Sequence, residues 1–122
     1  MTSQGTAHGR FTRAIQQRNL FAAQIALREM GNNPSLLVAL DYLALLAELK
    51  PERFQPAAVR WHGRLELEAP TLTLTESQFA LAALAALGEG ERDAVGVLRS
   101  FLRKARPALM SPVVRTWPVW RE

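Results

Sequence analysis

Apolar positions recur at helical spacing along almost the whole chain, and in two stretches the same pattern is written twice. Leu43, Leu46 and Leu49 are followed by a Pro51-Glu52-Arg53 turn and then by Ala57, Ala58, Trp61 and Leu65. Leu81, Leu84 and Leu87 are followed by Gly88-Glu89-Gly90-Glu91 and then by Ala94, Val95, Leu98 and Leu102. The first arms match at an offset of about 38 residues and the second at about 37, so the turns differ by one residue. A period of roughly 20–50 residues built from paired apolar helices marks a helical-repeat architecture, in which each pair covers its neighbour's apolar face.

The same spacing predicts the other elements. Residues 1–9 read as a flexible arm. Phe11, Ala14 and Ile15 begin a helix over about 10–17. Leu20, Ala23, Leu27 and Met30 stripe a second over about 20–30, closed by Gly31 as its C-terminal cap. Asn33-Pro34 opens a helix over about 34–49 that is apolar nearly all round. Its only charges are Asp41 and Glu48, seven residues apart on one seam. Such a helix must be covered on most sides. Pro56 costs a helix interior one hydrogen bond, so the helix bearing Phe54, Ala58, Trp61 and Leu65 is placed from about residue 55. Thr71 to Thr75 alternates like a strand but has no second strand to pair with, and reads as an extended connection. Thr75 with Gln78 suggests a capping box, and Leu74 with Phe79 a hydrophobic staple, for a helix over about 76–87 that Gly88 stops. The last helix, about 91–105, ends at Pro107. The expected architecture is all-α: about six helices as three stacked antiparallel hairpins (10–30, 34–68 and 75–105). They form one domain over 10–106, with an extended C-terminal tail over 107–122.

The 37–38 residue spacing, with small residues where paired helices would touch (Ala47, Ala57, Ala85, Ala94), resembles tetratricopeptide-like repeats over about 35–105. The first hairpin would be a degenerate member. The whole chain is also similar to short, uncharacterised all-helical proteins of high-GC bacteria that share a run like Ala57-Ala58-Val59-Arg60-Trp61-His62-Gly63-Arg64. The first resemblance implies a short stacked-hairpin bundle or solenoid; the second implies no activity.

Composition narrows the function classes. The 122 residues suffice for one buried core without a metal or disulfide. The absence of cysteine removes thiol chemistry and cysteine-based zinc sites. Met1 to Arg10 lacks the apolar core of a signal peptide, and the run Leu36 to Ala47 is too short to span a bilayer. A cytoplasmic protein without membrane association is expected. The net charge of +4, carried by 13 arginines and two lysines, favours a nucleic-acid or acidic-protein partner. The arginine bias also matches a GC-rich coding sequence.

No catalytic constellation stands out. His62 with Glu66 at i+4 supplies only two ligands, so neither a metal nor a cofactor is expected. The serines sit in no nucleophile elbow, and no glycine-rich phosphate loop is present. Asp41, on its apolar helix, is a candidate for a buried ion pair, with Arg18 or Arg60 as partner, or else lies on an exposed seam. Arg60 and Arg64 form one arginine stripe; Arg92, Arg99, Arg103 and Arg106 form another. The two lie on opposite sides of their helices' apolar stripes, so they either face each other across one groove or point to opposite flanks. Trp117 and Trp120, set among Pro112 and Pro118, either fold back over the last helix or anchor an extended docking peptide. The expected function is a non-catalytic protein–protein interaction or adaptor module, not an enzyme. Its candidate contact residues are Trp117, Trp120, Trp61, Arg60, Arg64, Arg99 and Arg103, with a homodimer through the tail as one form of partner. The alternative is a basic helical protein that binds nucleic acid through the arginine stripes.

Overall fold

A computed structural model of the chain describes residues 6–31 and 34–109. It contains six helices: α1 (Ala7–Gln16), α2 (Leu20–Glu29), α3 (Leu36–Leu49), α4 (Pro51–Glu68), α5 (Leu74–Gly88) and α6 (Asp93–Leu109). There is no strand among the described residues. Successive helices pair as three hairpins, α1–α2, α3–α4 and α5–α6, as the apolar spacing predicts. The nearly all-apolar α3 packs against all five other helices. No described helix is long and apolar enough to cross a membrane.

The core has two parts that meet on α3. The larger joins Leu36, Leu40, Leu43 and Leu46 of α3 to Phe54, Trp61 and Leu65 of α4, Leu84 and Leu87 of α5, and Leu98 and Leu102 of α6. The smaller is made by Phe11, Ala14, Ala23 and Ala26 of the first hairpin against Leu45 of α3. Tyr42 and Leu20 touch both. The leucine match between first arms is not a match of buried positions. Of the three pairs only Leu46 and Leu84 are both buried, while Leu49 and Leu81 are exposed. Burial instead aligns at 37 residues, pairing Leu40 with Ser77, Leu43 with Ala80 and Leu46 with Ala83. The second and third hairpins therefore match in the register of these buried positions, with small side chains on α5 where α3 carries leucine.

Helix ends are set by side-chain caps, and several differ from the sequence expectation. Thr6 accepts from the Gly9 N–H at 3.0 Å, so α1 begins at Ala7 and takes in part of the expected arm. Ser35 accepts from the Val38 N–H as the cap, leaving Pro34 two residues before α3 rather than within it. α4 starts at Pro51, where a missing N–H is harmless, and it absorbs Pro56 as well. Pro56 lies on the exposed side, so the Glu52 carbonyl that loses its partner can be solvated. α5 is opened two residues early by a reciprocal capping box between Thr73 and Glu76, not by Thr75 and Gln78. Pro107 does not end α6, which runs on to Leu109; a single proline removes only one donor from the ladder.

Gly88 does not stop α5 either. The terminator is Gly90 at φ 100°, closed by Gly90 N–H to Leu87 O and Glu91 N–H to Ala86 O. Gly88 instead makes room for a neighbour, since a Cβ there would lie 2.9 Å from Cε2 of the buried Phe54 ring. Gly31, at φ 97°, does cap α2 as expected.

Two outcomes follow from this packing. Gly88→Ala is expected to cost about 1–3 kcal/mol through overpacking against Phe54. Gly96→Ala, in α6 with nothing within 4 Å of the new Cβ, is expected to gain about 0.5–1 kcal/mol. Urea unfolding midpoints check both signs. Tyr42, the sole tyrosine, is half-buried between the two core parts. Burial raises its hydroxyl pKa above the ordinary 10.0, with Arg53 and Arg28 pulling partly back. The folded state thus favours the protonated form, whose stabilising contribution is complete below pH 10.0. That contribution is lost as pH rises through the folded pKa, because the unfolded chain ionises first. Tyr42→Phe is expected to flatten this alkaline loss, followed by unfolding midpoint, with tyrosinate absorbance titrated in the unaltered chain.

Candidate functional site

A cleft of about 480 Å³ lies over α3 between the first and third hairpins. Small and apolar side chains, Ala44, Ala47, Leu87 and Val95 among them, form its lining. Charge is confined to five residues: Asp41 and Glu48 of α3, Arg18 from the α1–α2 corner, and Arg92 and Arg99 from the third hairpin. The seven-residue spacing of Asp41 and Glu48 puts both on one α3 face, where the neighbouring hairpins supply arginines from either side. Arg99 pairs with Asp41. Glu48 accepts from two partners, Arg92 and, at 2.5 Å, Arg18, and so bridges the first hairpin to the third.

Three guanidinium groups against two carboxylates leave the cleft with an excess of one positive charge. Arg92 and Arg18 remain 75% and 52% exposed, so much of their donor capacity faces solvent. Paired guanidinium forks of this kind suit a carboxylate or phosphate ligand.

Arg18 carries a local strain. It sits at φ 57°, the left-handed region that glycine occupies at low cost. The position is the C-terminal closure of α1, with Arg18 N–H bonded to Ile15 O and Asn19 N–H to Ala14 O. Asn19 then caps α2 by accepting from the Ala22 N–H. A non-glycine residue in this conformation costs of order 1–2 kcal/mol. Here the residue that bears that cost presents its guanidinium to the cleft.

A second polar cluster joins α4 to α5. His62 is buried and its Nε2 lies 3.1 Å from the Ser77 carbonyl and 3.0 Å from Ser77 Oγ. Since a carbonyl only accepts, Nε2 carries the proton and donates to Ser77. The Ser77 hydroxyl in turn donates to Glu66 Oε2 at 2.6 Å. Histidine is therefore the donor and serine the acceptor, the reverse of nucleophile activation. The cluster is a lock between two helices. Among the described residues no buried side-chain polar atom lacks a hydrogen-bond partner, and no group of three or more potential ligands could hold a metal.

The sequence-chosen residues divide. Asp41 is in an ion pair, but with Arg99 rather than Arg18 or Arg60, and the pair is half-exposed rather than buried. Helical rotation turns Asp41 toward α6, whereas Arg18 meets the seam two turns on, at Glu48. Trp61 is buried and its indole N–H donates to Leu36 O at 3.0 Å, so it serves the core instead of a docking surface. Arg64 is held by Glu68 at 2.5 Å and by the Pro34 carbonyl. Arg60 and Arg103 are exposed, and neither lines the cleft. The two arginine stripes therefore do not share that groove. Trp117 and Trp120 lie outside the described residues, as does the rest of 110–122. The sequence set Glu48 on one seam with Asp41 but assigned it no partner, and it did not single out Ser77. Nothing local marks Ser77, eleven residues from Glu66 and fifteen from His62.

These elements define an all-helical array of three hairpins with a charged cleft over its central helix. No family model matches the chain, and neither the curated proteins nor the solved structures provide a match.

The two clusters are expected to differ in energetic weight. Ser77→Ala removes a buried acceptor and should cost about 1–3 kcal/mol with helix content intact. Glu48→Gln weakens exposed pairs and should cost less than about 1 kcal/mol, an effect that fades in roughly 1 M salt. Urea titrations at low and high salt test the ranking.

Proposed function

We propose that the protein is a cytoplasmic, non-catalytic adaptor of tetratricopeptide-like character whose α3 cleft holds an extended acidic segment of a partner protein. The observation that carries the reading is Arg18. Its backbone conformation disfavours any side chain, yet the residue there is a cleft-lining arginine. The apolar and alanine lining suits alternate side chains of an extended peptide, and the excess positive charge suits its carboxylates. The donor–acceptor order at His62, Ser77 and Glu66 supports the non-catalytic part of the reading.

A second reading, nucleic-acid binding, is favoured by the exposed Arg60 and Arg103 and by the net charge of +4. Among the described residues no aromatic side chain lines the cleft with its arginines, which weighs against base stacking there.

Fluorescence anisotropy with labelled peptides of alternating leucine and glutamate, matched leucine–lysine peptides and DNA and RNA oligonucleotides separates the two. The acidic peptide is expected to bind and the basic one not. Arg18→Gly should weaken binding about tenfold or more, corresponding to about 1.4 kcal/mol. The same change should leave the fold nearly as stable, since relief of backbone strain offsets the lost exposed ion pair. Tighter binding of oligonucleotides, with a steep fall as salt rises, would favour the second reading; no binding of the acidic peptide would sink the first.

A further inference from the structure

A second groove, of about 560 Å³, opens on the other side of the third hairpin. It runs from Leu72 in the α4–α5 connection across Phe79 of α5 and Phe101 of α6 to Lys104 and Ala105. The Phe79 and Phe101 rings lie with centroids 5.9 Å apart and tilted by 35°. Phe79 is still 49% exposed, and Val97, one turn before Phe101, is 42% exposed. Nothing among the described residues covers this ring pair, although an end hairpin in a stacked array needs a cap on its open face.

We infer that the groove is the docking site for the chain's own C-terminal segment, residues 110–122, with Trp117 or Trp120 seated against Phe79 and Phe101. The argument is one of geometry and tether. The groove ends at Ala105, four residues before the end of α6, so its mouth lies about 6 Å along the axis from where the segment departs. Phe101 is eight residues back, about 12 Å. The eight residues from Leu109 to Trp117 reach about 26 Å when extended, enough to reverse direction and arrive at the rings. Pro112 and Pro118 oppose continuation of the helix and favour extended backbone. The segment carries Val113, Val114, Trp117, Val119 and Trp120, an apolar content matched to the groove. A short tether also raises the local concentration of this occupant to the millimolar range, above that of a second copy or another protein in dilute solution.

This inference is independent of the α3 cleft, and its failure would leave the adaptor reading untouched. The test uses the full chain and its Phe79→Glu variant, with acrylamide quenching of tryptophan fluorescence and light scattering for mass. Trp61 is buried in the core, so changes at unchanged helix content report Trp117 and Trp120. A monomer whose three tryptophans are all shielded, two of them released several-fold by Phe79→Glu at unchanged helix content, is the expected result. Freely quenched tail tryptophans in the unaltered chain overturn the inference. Shielding that appears only in a concentration-dependent dimer also overturns it, in favour of exchange between two copies. Should Phe79→Glu not fold, Trp117→Ser/Trp120→Ser replaces it. That pair should speed amide exchange over residues 78–82 and 97–101 several-fold while exchange in α3 stays the same; unchanged rates over those residues would refute the docking.

Discussion

Everything in this fold depends on the need to cover α3. A helix of fourteen residues with only two charged positions cannot leave a wide face in water, because each exposed leucine forfeits of order 1.5–3 kcal/mol of burial. One partner helix hides a single stripe, so α3 recruits all the others. The α4 side is sealed by Leu40, Leu43, Trp61 and Leu65. Leu45 turns the other way to close the small core of the first hairpin. What remains open is Leu37 and Leu49 near the ends of α3 and, between them, the half-buried seam of Asp41 and Glu48, where the cleft forms.

The cleft thus follows from the core. Two carboxylates on an otherwise apolar helix have to keep contact with water or with cations. The hairpins on either side meet that need with Arg18, Arg92 and Arg99. Their ion pairs are too exposed to dominate stability. Their consequence is positional: they hold guanidinium groups in fixed places around a lining of alanine and aliphatic side chains. The strained backbone at Arg18 fits the same logic, since the left-handed residue at the α1–α2 corner is the one from which a side chain reaches Glu48.

Close approach is the other theme. The third hairpin puts Ser77, Ala80 and Ala83 where α3 has leucines. It also spares a side chain at Gly88 so that Phe54 can lie against the α5 backbone. Small residues on α5 let the hairpin sit close, with the His62–Ser77–Glu66 chain fastening the α4–α5 boundary. On the far side of the third hairpin, Phe79 is left half-exposed among the described residues.

Local chemistry was legible from the residues themselves. Apolar spacing gave six helices in three pairs, Gly31 its cap, and α3 its burial, because periodicity and backbone propensity act over a few residues. Competition between nearby signals was less legible. The sequence reading put the cap at Thr75 and the stop at Gly88, where Thr73 and Gly90 hold those places, and Pro56 argued against a helix that its exposed side tolerates. Which candidate prevailed depended on where each neighbouring helix packed. Pairings across hairpins could not be read at all. Arg99 with Asp41, Arg18 and Arg92 with Glu48, and Ser77 with His62 join residues 15 to 58 apart in sequence. Such partners are fixed by the rotation of one helix about its axis against another. That rotation is decided by how the leucines and alanines of the whole core interlock.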